Sequence, residues 1–275
     1  MEHTAPSLTD PIGVFDSGIG GLTVANAILG LRPQEKLCYL ADNARAPYGQ
    51  RSVVELRRFS FEITDWLLGQ GAKIIVAACN TAVSAALTEL RAARPGITFV
   101  GMEPALKPAA LLTRTGKIAV LATAATLASD RFYNLSARFA TGLEVHTDPC
   151  LGLVRLIEDG RAESEETRAL LRTITAPLTA AGVDTVVLGC THYPLVAAEL
   201  QRQLGPGVTL VDPAPAAARR TIFLLEELGL ANPDPLDRPV HHLNFTGPRV
   251  SLPAGHGWEA LSMAEIDFRA GVALD

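Results

Sequence analysis

Two cysteines stand in matched settings. In "IIVAACNTAVSAAL", residues 74 to 87, an apolar run ends abruptly at Cys79 and two small polar residues, and much later "TVVLGCTHYPLV" places Cys190 at the same point. A thiol at the junction of a strand end and a helix start meets the helix dipole and free N–H groups, both of which favour the thiolate. Two thiolates on opposite sides of a small ligand suit one chemistry: one base removes a proton from one face of a carbon and the other group returns a proton to the opposite face. The product is the mirror image of the starting compound.

Other chemistries compete for the same residues. Cys190 and His192 with Cys79 are three ligands of the kind zinc accepts, although the chain has no paired CxxC. A Cys-His hydrolase with Cys190 or Cys79 as nucleophile and His192 as base remains open, but it leaves the second cysteine without a role. The stretch "DSGIGG", residues 16 to 21, lacks the spacing of a dinucleotide fingerprint or a P-loop, and no Lys-Ser/Thr follows it. An aspartyl-nucleophile phosphatase needs a second acid where Gly18 stands. The glycines read better as letting backbone amides approach a small carboxylate, with Asp16 orienting or ionising a neighbour. A pyridoxal phosphate enzyme needs a lysine, and the chain has only Lys36, Lys73, Lys107 and Lys117. Three of these flank strand starts, and Lys107 follows "MEP" in an expected helix, so a reaction with no cofactor and no metal is favoured. Cys38, inside "LCYL", reads as a buried small hydrophobe, and Cys150 as structural.

The elements that must position these groups alternate between short runs rich in Val, Ile and Leu and longer amphipathic stretches, the pattern of βα units around a parallel sheet. Strands are expected at 11–16, 36–42, 73–78, 97–101, 117–122, 143–147, 184–189 and 208–212. A capping box of Ser52 and Glu55 should open a helix that stops at Gly69 and Gly71. Pro177 should kink or interrupt a helix running from about Glu165 to Ala181. "IGVFDSG" and "IAVLATA" are each followed at nearly equal distance by a cysteine-bearing strand, which predicts two related α/β halves. Ligands of open parallel sheets bind beyond the carboxyl ends of the strands, where Asp16, Ser17, Cys79, Asn80, Cys190, Thr191 and His192 all fall. If the halves face each other, so can the cysteines.

Composition narrows the class of partner. A formal charge of −5 without a concentrated run of either sign gives neither nucleic acid nor an anionic membrane a footing, so the expected partner is a small molecule. Four scattered cysteines do not make a disulfide framework. The polar opening "MEHTAPSLTD" has no apolar h-region, which makes the cytoplasm the expected location.

Five blocks, "VFDSGIGGLTV" at 14 to 24, "YLADNARAPYGQRS" at 39 to 52, "ACNTA" at 78 to 82, "GMEP" at 101 to 104 and "LGCTHYPL" at 188 to 195, resemble the signature blocks of glutamate racemase, in order and across most of the chain. The wider relatives, aspartate and hydantoin racemases and arylmalonate decarboxylases, do not usually carry "APYG" and "GCTHYPL" together. The resemblance implies that Cys79 takes the proton from D-glutamate and Cys190 from L-glutamate, that Asp16 supports the first thiol, and that His192 supports the second. It also implies an acid near the second cysteine at Glu158, within "LVRLIEDG", and substrate-binding positions at Asp16, Ser17, Tyr48, Gly49, Asn80, Thr81, Thr123, Thr191 and His192. Few arginines belong to these blocks, which suits a site where backbone amides and neutral hydroxyls hold the carboxylates. The implied architecture is two similar parallel-sheet α/β domains in a pseudo-twofold relation with the active site in the cleft between them. Residues 1–103 plus 213–275 would form one and residues 104–212 the other. The implied function is cofactor-independent racemisation of glutamate, supplying D-glutamate for peptidoglycan. Racemisation of aspartate or another amino acid is the alternative, and a decayed site serving as a partner-binding regulator is a third reading that the intact "CNT" and "CTH" oppose. The sequence leaves a homodimer open, and "NPDPLDRP" reads as a proline-rich loop before a C-terminal segment, from residue 252, that departs from the usual ending.

Overall fold

The computed structural model describes residues 6–248 and 259–274, so part of the divergent C-terminal segment lies outside the described residues. The described residues divide into two compact units, one made of 6–102, 214–248 and 259–274, the other of Glu103–Pro213.

The first unit is built on β1 (Ile12–Asp16), β2 (Leu37–Ala41), β3 (Ile74–Ala77) and β4 (Phe99–Gly101). The second is built on β5 (Lys117–Leu121), β6 (Glu144–Asp148), β7 (Thr185–Leu188) and β8 (Thr209–Val211). Two late strands, β9 (His241–Phe245) and β10 (Ile266–Arg269), return to the first unit. Its sheet has the order β10-β9-β2-β1-β3-β4, and the second unit's sheet the order β6-β5-β7-β8. Every pairing is parallel. The run β2-β1-β3-β4 thus recurs as β6-β5-β7-β8, and the repeated α/β half expected from the sequence is present in the strand order. All residues of β1, β2, β3 and β7 are buried, as they must be when helices cover both faces of a parallel sheet.

Local chemistry accounts for the helices. Ser52 accepts from the Glu55 amide at 3.2 Å and the Glu55 carboxylate accepts from the Ser52 amide at 3.0 Å, so the expected capping box opens the helix Val53–Gly69. Ser60 and Thr64 are buried in that helix because each hydroxyl donates to the carbonyl four residues back, at 2.7 Å. Of the expected kink or interruption at Pro177, the interruption does not occur: the helix Glu165–Ala181 runs through it. Pro177 and Thr173, whose carbonyl loses its i+4 donor there, are both exposed residues of that helix. β9 and β10 were not expected. "HHLNF" carries too many polar residues to read as a strand, yet Asn244 donates to the Tyr39 carbonyl at 3.0 Å and His241 Nδ1 accepts from the Leu37 amide at 3.2 Å. No helix among the described residues is long and apolar enough to cross a membrane.

A buried ion pair ties the returning segment to the first unit. Lys73 Nζ donates to Glu35 Oε2 at 2.7 Å and to the Leu8 carbonyl at 2.6 Å, while Glu35 Oε1 accepts from the Asn232 amide at 2.8 Å. Both charged side chains are fully removed from solvent. Lys73→Met leaves a buried carboxylate without its cation and should cost about 3 kcal/mol or more, read as a fall in the urea midpoint. Arg202→Ala, which removes the exposed pair with Glu199, should leave the midpoint nearly unchanged. Equal shifts in the two variants would contradict this assignment.

Candidate active site

In each sheet the strand order reverses beside its central strand, between β1 and β3 in one and between β5 and β7 in the other. Helices leaving the two strands on either side of such a point go to opposite faces, and a crevice opens at the carboxyl ends. The candidate residues of each unit gather there.

In the first unit β1 ends at Asp16, which is fully buried, and Asp16 Oδ2 accepts from the Gly21 amide at 2.7 Å. A Cβ on Gly21 would lie 2.6 Å from the Asp16 Cβ and 3.0 Å from the Ala78 Cβ, so glycine is required for the loop "DSGIGG" to close against both strands. The Ala78 amide donates to the Phe15 carbonyl at 2.8 Å, which carries the pairing of β1 and β3 up to Cys79. Cys79 is 5% exposed and is the N-cap of the helix Asn80–Ala93, the strand-to-helix junction expected. Its neighbours Asn80 and Thr81 open that helix and are buried, as is Ser17. Neither atom of the Asn80 amide has a hydrogen-bond partner among the described residues, an unusual state for a buried polar group and one that a polar ligand would relieve.

Tyr48 is buried in a 3₁₀ turn, Tyr48–Gln50, that also contains Gly49. Burial raises its phenol well above the ordinary value, and the charges of Asp42 and Cys79 add to the shift, so the ring stays neutral beside the thiol. Its hydroxyl donates to Asp42, which also receives the Arg45 guanidinium at 2.7 Å and the Thr246 hydroxyl at 2.9 Å. Asp42 was missed in the sequence. The signal for it was an acid directly after "LCYLA", one residue beyond Ala41, which pairs with Asp16.

In the second unit the Gly189 amide donates to the Leu121 carbonyl at 2.7 Å, and a Cβ on Gly189 would lie 2.8 Å from that oxygen. Cys190 follows, 7% exposed. The helix start expected there is absent: a 3₁₀ turn, Tyr193–Val196, comes next, and an α-helix begins only at Ala197. Pro194 has no N–H to complete an α-helical bond to the Cys190 carbonyl, which accepts instead from the Tyr193 amide at 3.1 Å. A relay of side chains stands where the helix dipole was expected. His192 Nδ1 lies 3.7 Å from the Cys190 sulfur, and Nε2 lies 2.5 Å from Glu158 Oε1.

Burial disfavours the His192 imidazolium, but hydrogen bonds to Cys190 and Glu158, together with their charges, raise its pKa well above the ordinary imidazole value. The relay can hold a proton next to the thiol and, with it, a positive charge facing a thiolate. Both ring nitrogens are engaged by different partners, so Cys190 and Glu158 sit on opposite sides of the ring and do not converge on one ion. Among the described residues no three His, Cys, Asp or Glu side chains group as a metal site.

Thr191 is buried beside Cys190, while Thr123 is half-buried and its hydroxyl accepts from the Thr126 amide at 3.4 Å as the cap of a short helix. Cys38 is buried as expected, and burial pushes its thiol up to about 11. Cys150 is buried too, with its thiol raised by burial and by Asp148, and it lies within electrostatic reach of Cys190 and Tyr193.

Comparison with known proteins gives the class: an amino-acid racemase, an isomerase. The family model described as Asp/Glu/Hydantoin racemase matches residues 23–221, and the chain belongs to that family. A protein of Roseiflexus sp. named glutamate racemase is 51% identical over 220 residues, covering 80% of this chain and 81% of that one. The structure of glutamate racemase from Francisella tularensis in complex with D-glutamate superposes with a TM-score of 0.80 at 28% identity, covering 98% of this chain and 99% of the other. That of Escherichia coli glutamate racemase with L-glutamate and the activator UDP-MurNAc-Ala gives 0.79 at 32% identity, covering 96% and 99%.

The relay makes a titration prediction. Glu158→Gln removes a charge that holds the proton on His192, so the ring nitrogens should titrate at lower pH than in the parent, measured by 15N NMR. Because the folded value is raised, His192 adds stability that is full below about pH 6.5 and is lost as pH rises through the folded value. The variant should therefore lose that contribution at lower pH. An unchanged titration would show that Glu158 does not govern the ring.

Proposed function

We propose that the protein interconverts L- and D-glutamate without a cofactor, Cys79 taking the proton from D-glutamate and Cys190 from L-glutamate. The observation that carries this reading is the recurrence of one arrangement. In each unit a cysteine stands two residues beyond the strand next to the central one, after Ala77 of β3 and after Leu188 of β7. A Cys-His hydrolase would use one such cysteine, and racemisation uses two.

In the proposed step a thiolate removes the Cα proton, the electron pair left on Cα delocalises into the α-carboxylate, and the thiol on the other face returns its own proton to Cα. The thiolate and thiol have then exchanged roles, and the reverse reaction starts from the product. Asp16 and the dipole of the helix Asn80–Ala93 support Cys79, while His192, held by Glu158, supports Cys190. Ser17, Tyr48, Gly49, Asn80, Thr81, Thr123 and Thr191 supply neutral donors and close backbone for the two carboxylates and the ammonium. Donors fixed before the reaction stabilise the charge that develops on the carboxylate, which is where an enzyme of this type gains most of its rate. Glutamate as substrate rests on the relatives crystallised with it, and a role in supplying D-glutamate for cytoplasmic peptidoglycan precursors is supported by the E. coli relative's activator, a muramyl-alanine nucleotide.

The test is direct. Purified protein incubated with L-glutamate should accumulate D-glutamate, and incubation with L-aspartate under the same conditions should yield little D-aspartate. Faster turnover of aspartate would assign the protein to the alternative substrate, and no product from either would overturn the racemase reading.

A further inference from the structure

At the amino-terminal edge of the six-stranded sheet, the opposite end of the strands from Cys79, the first unit carries a cavity of about 560 Å³ that is open to solvent. That volume lies in the range of small-molecule sites. Its walls include Leu29, Pro33 and Met263, with Arg238, His241 and Glu265 as the charged or titratable members.

His241 is the feature that distinguishes the cavity from a packing defect. The ring is 2% exposed, and its Nδ1 accepts from the Leu37 amide, so the ring proton sits on Nε2. That Nε2–H has no partner among the described residues. Burial, together with the nearby charges of His242 and Lys36, lowers the pKa to about 4, so the ring is a neutral, fixed donor at neutral pH. Arg238 is held by its Nη1, which donates to the Pro235 and Asp237 carbonyls at 2.9 and 2.7 Å. Its Nε and Nη2 donors carry no partner among the described residues, and no carboxylate pairs with it there. A fixed ring N–H and an exposed guanidinium with free donors, set beside apolar walls, suit an acceptor that is anionic at one end and apolar at the other. The exposed Glu265 carboxylate at the cavity sets a limit on negative charge and disfavours polyanions such as phosphates.

We propose that this cavity binds a small amphiphilic monocarboxylate, with its carboxylate on Arg238 and the His241 Nε2–H and its hydrocarbon portion against Leu29, Pro33 and Met263. The site is separate from the cysteine chemistry and does not depend on it.

Hexanoate is a suitable probe. Titrated into the full chain, it should give saturable shifts of the His241 ring Nε2 and the Met263 methyl resonance in NMR spectra. Hexylammonium, of the same length and opposite charge, should give no saturable shift. Arg238→Gln, at an exposed position, should weaken hexanoate by about tenfold, the loss expected for one charge-assisted hydrogen bond. The proposal is overturned by shifts that never saturate, by equal affinity in the variant, or by preferential binding of hexylammonium.

Discussion

The reversal of strand order beside a central strand is the constraint on which the rest depends. A chain that lays β2 on one side of β1 and β3 on the other sends its connecting helices to opposite faces, and the backbone at the carboxyl ends is left without a covering helix. Polar groups can be presented there on rigid strand ends rather than on loops. The chain does this twice with the same order, and both times it fills the position beyond the flanking strand with cysteine. Glycine follows from the same requirement: Gly21 lets the first loop close onto Asp16 and Ala78, and Gly189 lets the backbone pass against the Leu121 carbonyl.

The two thiols are supported by different physics. Cys79 has a fourteen-residue helix behind it, whose dipole favours negative charge at the cap. Cys190 is denied such a helix by Pro194 and lies instead beside His192, whose hydrogen bonds to Cys190 and Glu158, with their charges, raise its pKa against the effect of burial. A racemase needs two bases matched in strength for opposite faces of one carbon, and matching them does not require that they be tuned the same way. Tyr48 adds a third element. It is tied down by Asp42, which is itself held by Arg45 and by Thr246 from the end of β9, so the returning C-terminal strand reaches the first unit's site through a chain of hydrogen bonds.

Much of this was legible in the sequence because parallel strands buried on both faces appear as unbroken apolar runs. β1, β3 and β7 could be placed within a residue or two, and with them Asp16, Cys79 and Cys190. What escaped was structure held by polar side chains. β9 is a strand because His241 and Asn244 bond along the sheet, a role that no hydropathy pattern records. Pro177 removes one N–H from its helix without ending it, because the flanking turns keep their own bonds. The Glu158–His192 contact joins residues far apart in sequence, so only resemblance to a family pointed to it. Asp42 was passed over although it directly follows a strand end beside that of Asp16.

The central claim is that two thiols, one from each strand-end site, act on opposite faces of one carbon. It is tested most directly by running the reaction in D2O from protonated L-glutamate and from D-glutamate, and analysing substrate and product at low conversion. Because the thiol that donates has already exchanged with solvent, the product should carry deuterium at Cα from the first turnover, while the remaining substrate keeps its hydrogen. Cys79→Ser and Cys190→Ser should each lose nearly all racemisation, since serine is far too weak an acid to replace the thiol. Product that retains the original hydrogen, or near-normal turnover in either serine variant, would contradict the account.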